Sequence, residues 1–168
     1  MGGDVLIAAT GVMVQEALDA AAQLAASGVE ASVVDVHTLK PFPDQSIAEA
    51  AARHRLVVTV EEHNILGGLG TMIVEAVASS GVSTPVYKHG FYDEYAIIGS
   101  PTHLYEYYGL DADGIATVTQ RALDLAGART LLRPGGMAPL WTADDRARAM
   151  AAVRARSSRA AVMTPAAQ

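Results

Sequence analysis

The sequence predicts an α/β fold: a mainly parallel, open sheet of about five strands with helices on both faces, followed by a C-terminal helical tail. Three observations predict it. Short, continuously apolar runs alternate with segments of helical periodicity in the order βαβαβαβαα, the pattern of parallel strands joined by crossover helices. The 15 glycines and 7 prolines include several that fall between these segments. Hydrophobic residues make up 51% of the 168 residues, enough to build one sizeable core and too many for a disordered chain.

Each element has a local reason. Val5 to Thr10 (VLIAAT) is apolar throughout, as a strand covered on both faces requires. Val12 to Ser27 repeats Met13, Ala17, Ala20, Ala21, Leu24 and Ala25 at helical spacing, and Gly28 is placed to end that helix. Ala31 to Val36 is β-branched and forms a second strand. Lys40-Pro41-Phe42-Pro43 breaks regular structure, because two prolines remove amide donors and constrain their neighbours. A short helix from about Asp44 to Arg53 leads into a third strand, Leu56 to Val60. After the glycine-rich stretch that follows, Met72, Ile73, Ala76 and Val77 mark a helical face capped by Gly81. Pro85 to Lys88 suits a fourth strand. Ser100-Pro101 reads as an N-cap with proline at the first helical position, and that helix ends at Gly109. Asp111 or Asp113 opens a further helix to about Ala126.

The chain divides near Gly127 by charge. Residues 1–127 hold 5 Lys+Arg against 16 Asp+Glu, and residues 128–168 hold 7 Arg against 2 Asp. The acidic body repels nucleic-acid phosphates, and the basic extension is expected to fold onto an acidic surface, its own or a partner's. In that extension Pro134-Gly135-Gly136 is a linker or turn. Thr142 caps a helix with Asp144 and Asp145 in its first turn and a weakly apolar face of Ala143, Ala147, Met150 and Ala151. Order is expected to end at about Ser157. No apolar run approaches the ~20 residues that cross a bilayer, and the N-terminus carries no basic leader, so a cytoplasmic location is expected. The absence of cysteine excludes disulfides, thiolate metal sites and cysteine nucleophiles.

Candidate chemistry concentrates after the third strand. Glu61, Glu62 and His63 stand at a carboxyl strand end, where open α/β sheets place functional groups. Glu62 and His63 are weak acid–base candidates, and alternation along an extended chain turns Glu61 and His63 the same way. Gly67, Gly68 and Gly70 (GGLG) lie between strand and helix, where free helix amides can cradle phosphate. They match neither a dinucleotide fingerprint nor a P-loop, so close packing is the preferred reading. His37, His54, His89 and His103 have no metal-ligand spacing, and His37 and His89, each following an apparent strand, read as loop or interface residues. The tyrosines Tyr92, Tyr95, Tyr105, Tyr107 and Tyr108 suit an interface or a core edge. No Ser–His–Asp arrangement stands out, and these residues by themselves define no reaction.

Four segments in register supply a resemblance. VLIAATGVMVQEALDAA, VVDVHTLKPF, VVTVEEHNILGGLGTMIVEAV and IGSPTHLYEYYGLDADGI, spanning about Asp4 to Ala126, resemble the C-terminal domain of transketolases, and most closely that of split transketolases. The β subunits of 2-oxo acid dehydrogenases and the deoxyxylulose-phosphate synthases have related domains, from which EEH-x-x-x-GGLG and YYGL set this sequence apart. The resemblance implies a thiamine diphosphate- and Mg²⁺-dependent enzyme that moves a two-carbon ketol unit from a ketose, or its phosphate, to an aldehyde. It implies that partner chains with the pyrophosphate- and pyrimidine-binding domains hold the cofactor, since the GDG…N motif is absent here. The resemblance therefore assigns no catalytic residue, cofactor ligand or metal ligand to this chain, and makes Glu61, Glu62, His63, Gly67, Gly68 and Gly70 a signature at an inter-domain contact.

The expected assembly is a hetero-oligomer with two-fold symmetry, divided into at least three chains and inactive without its partners, with neither nucleic acid nor membrane involved; the alternative is that the sequence is a fragment of a longer chain. Such an enzyme suits a specialised biosynthetic pathway. The basic extension would add interface area, so that deleting 128–168 weakens assembly more than it destabilises the body. Two other readings stay open: a non-catalytic regulatory or binding module derived from this domain, and a component of a 2-oxo acid dehydrogenase-type enzyme.

Overall fold

The computed structural model describes residues 3–127 and 139–162, with side chains through residue 156. The expected Pro134-Gly135-Gly136 turn lies outside the described residues. The elements are β1 (Val5–Ala9), α1 (Met13–Ala26), β2 (Ala31–Asp35), α2 (Asp44–Ala51), β3 (Leu56–Asn64), α3 (Leu69–Ser79), β4 (Val86–Phe91), α4 (Pro101–Tyr108), α5 (Ala112–Gly127) and α6 (Ala143–Val162). The order matches the alternation read from the sequence.

The strands form one parallel sheet in the order β2-β1-β3-β4, which is four strands among the described residues rather than about five. β1 is central and buried along its whole length, which is why its five residues are all apolar. Its side chains alternate between two cores. Val5, Ile7 and Ala9 pack with α1 and α5, whereas Leu6 and Ala8 pack with α2 and α3. Both faces of the sheet are thus covered, as an all-parallel sheet requires. β1 leads into a helix on one face and its neighbour β3 into a helix on the other. The gap between their carboxyl ends is therefore the topological switch point of the sheet.

α6 belongs to the same packed body. Trp141, just before it, lies against Gly109, whose left-handed φ of 68° ends α4 and whose missing side chain leaves room for the indole. The Trp141 indole N–H donates to the carbonyl of Tyr107 at 2.8 Å. Thr142 and Asp145 form a reciprocal cap: the Thr142 amide and hydroxyl both donate to Asp145 Oδ2, and the Asp145 amide donates back to Thr142 Oγ1. The face of α6 that packs is not the weakly apolar one expected. Ala143, Ala147 and Ala151 are exposed, and the buried or half-buried positions are Asp145, Arg146, Ala149, Met150 and Val153. The backbone stays helical to Val162, past the expected limit at Ser157.

Candidate functional site

β3 runs four residues beyond its apolar stretch, to Asn64, and so carries Glu61, Glu62 and His63 inside a strand. Burial then separates them, across an irregularity in the β3–β4 register between Val60 and Asn64. Glu61 turns under the start of α3 and is 1% exposed, whereas Glu62 and His63 are exposed. Burial first, and then the neighbouring Glu62 carboxylate, raise the pKa of Tyr105. His63 lies near enough to Glu61 to favour its charged form electrostatically, but it is exposed where Glu61 is buried. The His63 Nδ1 bonds the Asn64 carbonyl at 2.8 Å, which assigns the proton to that nitrogen.

Glu61 explains Gly68. The amides of Leu69 and Gly70, the first two of α3, donate to its two carboxylate oxygens at 2.7 and 3.0 Å. A side chain on Gly68 would begin 1.9 Å from Glu61 Oε2. One on Gly70 would begin 2.7 Å from Thr59 Oγ1 and from the Lys88 stem. Gly67 adopts a φ of 78°, in the left-handed region. The turn is therefore shaped around an internal carboxylate at the helix N-terminus. Burial raises the Glu61 pKa, and the two amide bonds, His63 and Lys88 oppose that rise.

Outside this turn, a crevice of about 460 Å³ opens at the switch point. Thr10, Gly11 and Val12 contribute from the β1–α1 loop, Leu39 and Lys40 from the β2–α2 loop, and Glu61, Glu62, His63, Gly67, Gly68, Leu69 and Met72 from the third crossover, so the glycine turn forms one wall. The other histidines lie elsewhere. His37 bonds Thr38, and His54 bonds the Ala50 carbonyl and Ser32. His89 corrects the loop assignment. It sits within β4 and is fully buried, its Nε2 bonding the Gly109 carbonyl at 2.7 Å. Burial holds it neutral and lowers its pKa to about 4. The tyrosines also divide: Tyr108 is buried, Tyr95 is fully exposed, and Tyr92 shares a hydroxyl bond with Tyr87.

The family model described as "Transketolase, C-terminal domain" matches residues 1–115. The chain belongs to this family. It is 39% identical over 139 residues to 1-deoxy-D-xylulose-5-phosphate synthase of Heliobacterium modesticaldum, covering 83% of this chain and 22% of that protein. It is 40% identical over 114 residues to the 6-deoxy-6-sulfo-D-fructose transketolase subunit SqwH of Clostridium sp., covering 68% of this chain and 35% of the relative. Among solved structures it resembles "Split gene transketolase, inactive beta4 tetramer", with a TM-score of 0.68, 40% identity, and coverage of 75% of this chain and 41% of that one. The chain thus spans about a third or less of these curated relatives. The synthases, set apart in the sequence reading, match as well as the split transketolases do. The 139-residue match also extends beyond Gly127, where the resemblance read from the sequence stops.

The resemblance read from the sequence implies thiamine diphosphate and Mg²⁺ held by partner chains, and the turn bears on whether this chain could hold the diphosphate. The GGLG turn does not fit a diphosphate. Its leading amides already bind Glu61, and that carboxylate would repel an anion placed there. Among the described residues no three His, Asp or Glu side chains converge as metal ligands, and no helix is long and apolar enough to cross a membrane.

Proposed function

We propose that this chain is a structural and interface-forming subunit of a multi-chain, thiamine diphosphate-dependent, transketolase-like enzyme. The assembled enzyme transfers a two-carbon ketol unit from a ketose or ketose phosphate to an aldehyde acceptor. One observation carries the chain's part in it: the glycine-rich helix start, the feature closest to a phosphate cradle, is filled by the chain's own Glu61. Partner chains with pyrophosphate- and pyrimidine-binding domains hold the cofactor and Mg²⁺. This chain holds the switch-point crevice in a fixed arrangement against them, in the cytoplasm, without a catalytic group of its own.

Co-expression with the candidate subunits tests the proposal. Light scattering is expected to show a larger species, and ketol transfer is expected only when this chain is present. If the remaining subunits reach full activity without it, the proposal fails. The long match to synthases favours a second reading, a subunit of a 1-deoxy-D-xylulose-5-phosphate synthase-type enzyme. Formation of that deoxy sugar phosphate by the same complex, in place of ketol transfer, decides for it.

A further inference from the structure

We propose that the carboxyl edge of the sheet is a docking surface for a different polypeptide, one that presents aliphatic side chains at its centre and basic ones at its rim. The inference rests on the subunit reading and names the surface through which the partner docks.

All four strands are parallel, so the four loops that follow them emerge at one edge. Each exposes large apolar side chains: Val12 after β1, Leu39 after β2, Leu66 after β3, and Tyr95, Ile97 and Ile98 after β4. Tyr95 and Ile98 are fully exposed. The first three loops surround the 460 Å³ crevice, whose floor adds Leu69 and Met72. Isolated apolar residues on a surface are ordinary, but apolar side chains from every loop of one edge, around a concavity, mark an interaction site.

Charge selects the occupant. The same edge exposes Asp35, Asp44, Glu62 and Asp93 against Lys40. Two copies of this chain meeting edge to edge about a two-fold axis would set these carboxylates against each other. A partner with lysine or arginine at its rim would satisfy them and be steered onto the apolar centre.

The experiment uses the full chain and a separately expressed chain carrying the pyrimidine-binding domain, with affinity measured by calorimetry at low and high salt. Leu66→Glu and Ile98→Glu alter the edge. Leu18→Glu and Val74→Glu alter exposed apolar residues elsewhere and serve as controls. All four positions are exposed, and circular dichroism verifies that the variants fold. The edge variants are expected to weaken binding roughly tenfold or more, and the controls less than about twofold. High salt is expected to weaken wild-type binding. Edge variants that bind as wild type within an intact complex overturn the surface while leaving the subunit reading in place. An affinity indifferent to salt overturns the basic rim. Self-association of this chain that the edge variants abolish makes the occupant a second copy, which also overturns the proposal. If the wild-type chain forms no complex, the subunit reading and this inference fall together.

Discussion

Gly68 and Glu61 are best understood as one unit. The carboxylate fills the space where a Gly68 side chain would begin, and in return it satisfies two helix amides that have no partner in the helix itself. Gly68→Ala must displace a buried carboxylate and is expected to cost about 2 to 4 kcal/mol in urea unfolding. Glu61→Ala leaves both amides without an acceptor and is expected to cost a similar amount. The double variant should cost less than the two single losses added, because removing Glu61 removes the main clash. Additive losses would mean that Gly68 answers to some other neighbour.

His89 carries a pH prediction of the same local kind. Its folded pKa lies near 4, below the ordinary 6.5, so between these values the unfolded chain binds more protons than the folded one. Stability therefore falls as pH drops from about 6.5 to 4, by at most about 3 kcal/mol from this residue. His89→Gln keeps a donor for the Gly109 carbonyl but does not titrate, so its stability is expected to vary less than wild type across that window. Parallel pH profiles for the two proteins would refute the assignment. Glu61 works with the opposite sign, since its raised pKa makes its contribution decline as pH rises.

At the scale of elements, α6 shows what periodicity can and cannot reveal. The order of strands and helices was legible because burial on both faces forces apolar runs in β1 and β3, and because glycine and proline mark the ends of helices. The extension of β3 to Asn64 was hidden because Glu61 is buried for its hydrogen bonds, and a run of polar residues looks like a loop. The packing face of α6 was hidden for the same reason: its most buried position near the start is Asp145, not an alanine. Arg121 reaches Asp145 with both terminal nitrogens, at 2.7 and 3.1 Å, and Arg148 also pairs with it. The Arg121 side chain first, and then the hydroxyl and amide of Thr142, hold the carboxyl well below the usual carboxylate range. Arg146 lies over the rings of Tyr107 and Tyr108 and pairs with Glu94 at 2.8 Å. Asp145→Ala removes the cap and the partner of Arg121 together, and is expected to destabilise α6 by about 2 kcal/mol. Amide exchange should speed up along α6 and stay nearly unchanged in β1 and β3; uniform acceleration would show that α6 and the sheet open together.

For the molecule as a whole, the separation of charge becomes a question of cooperativity. The described part of the basic extension, α6, folds onto its own acidic body, through Arg146 to Glu94, Arg156 to Glu106, and Arg121 of the body to Asp145. Beside these polar contacts, Leu140 and Trp141 pack against the larger core, while within α6 the buried apolar residue on the described face is Val153. The sheet, by contrast, is held by two apolar cores. Partly exposed ion pairs contribute little in water and less in salt, so α6 is expected to be the less stable unit. The sequence contains one tryptophan, Trp141, and it lies at the junction of the two units. Its fluorescence reports docking of α6, while far-ultraviolet circular dichroism is dominated by the body. In a urea titration the fluorescence midpoint is expected below the circular-dichroism midpoint, with the gap widening as salt is added. Coincident midpoints at every salt concentration would make body and extension a single cooperative unit. Deleting 128–168 would then remove part of the core's own support, and any accompanying loss of assembly could not be ascribed to a separate docking arm.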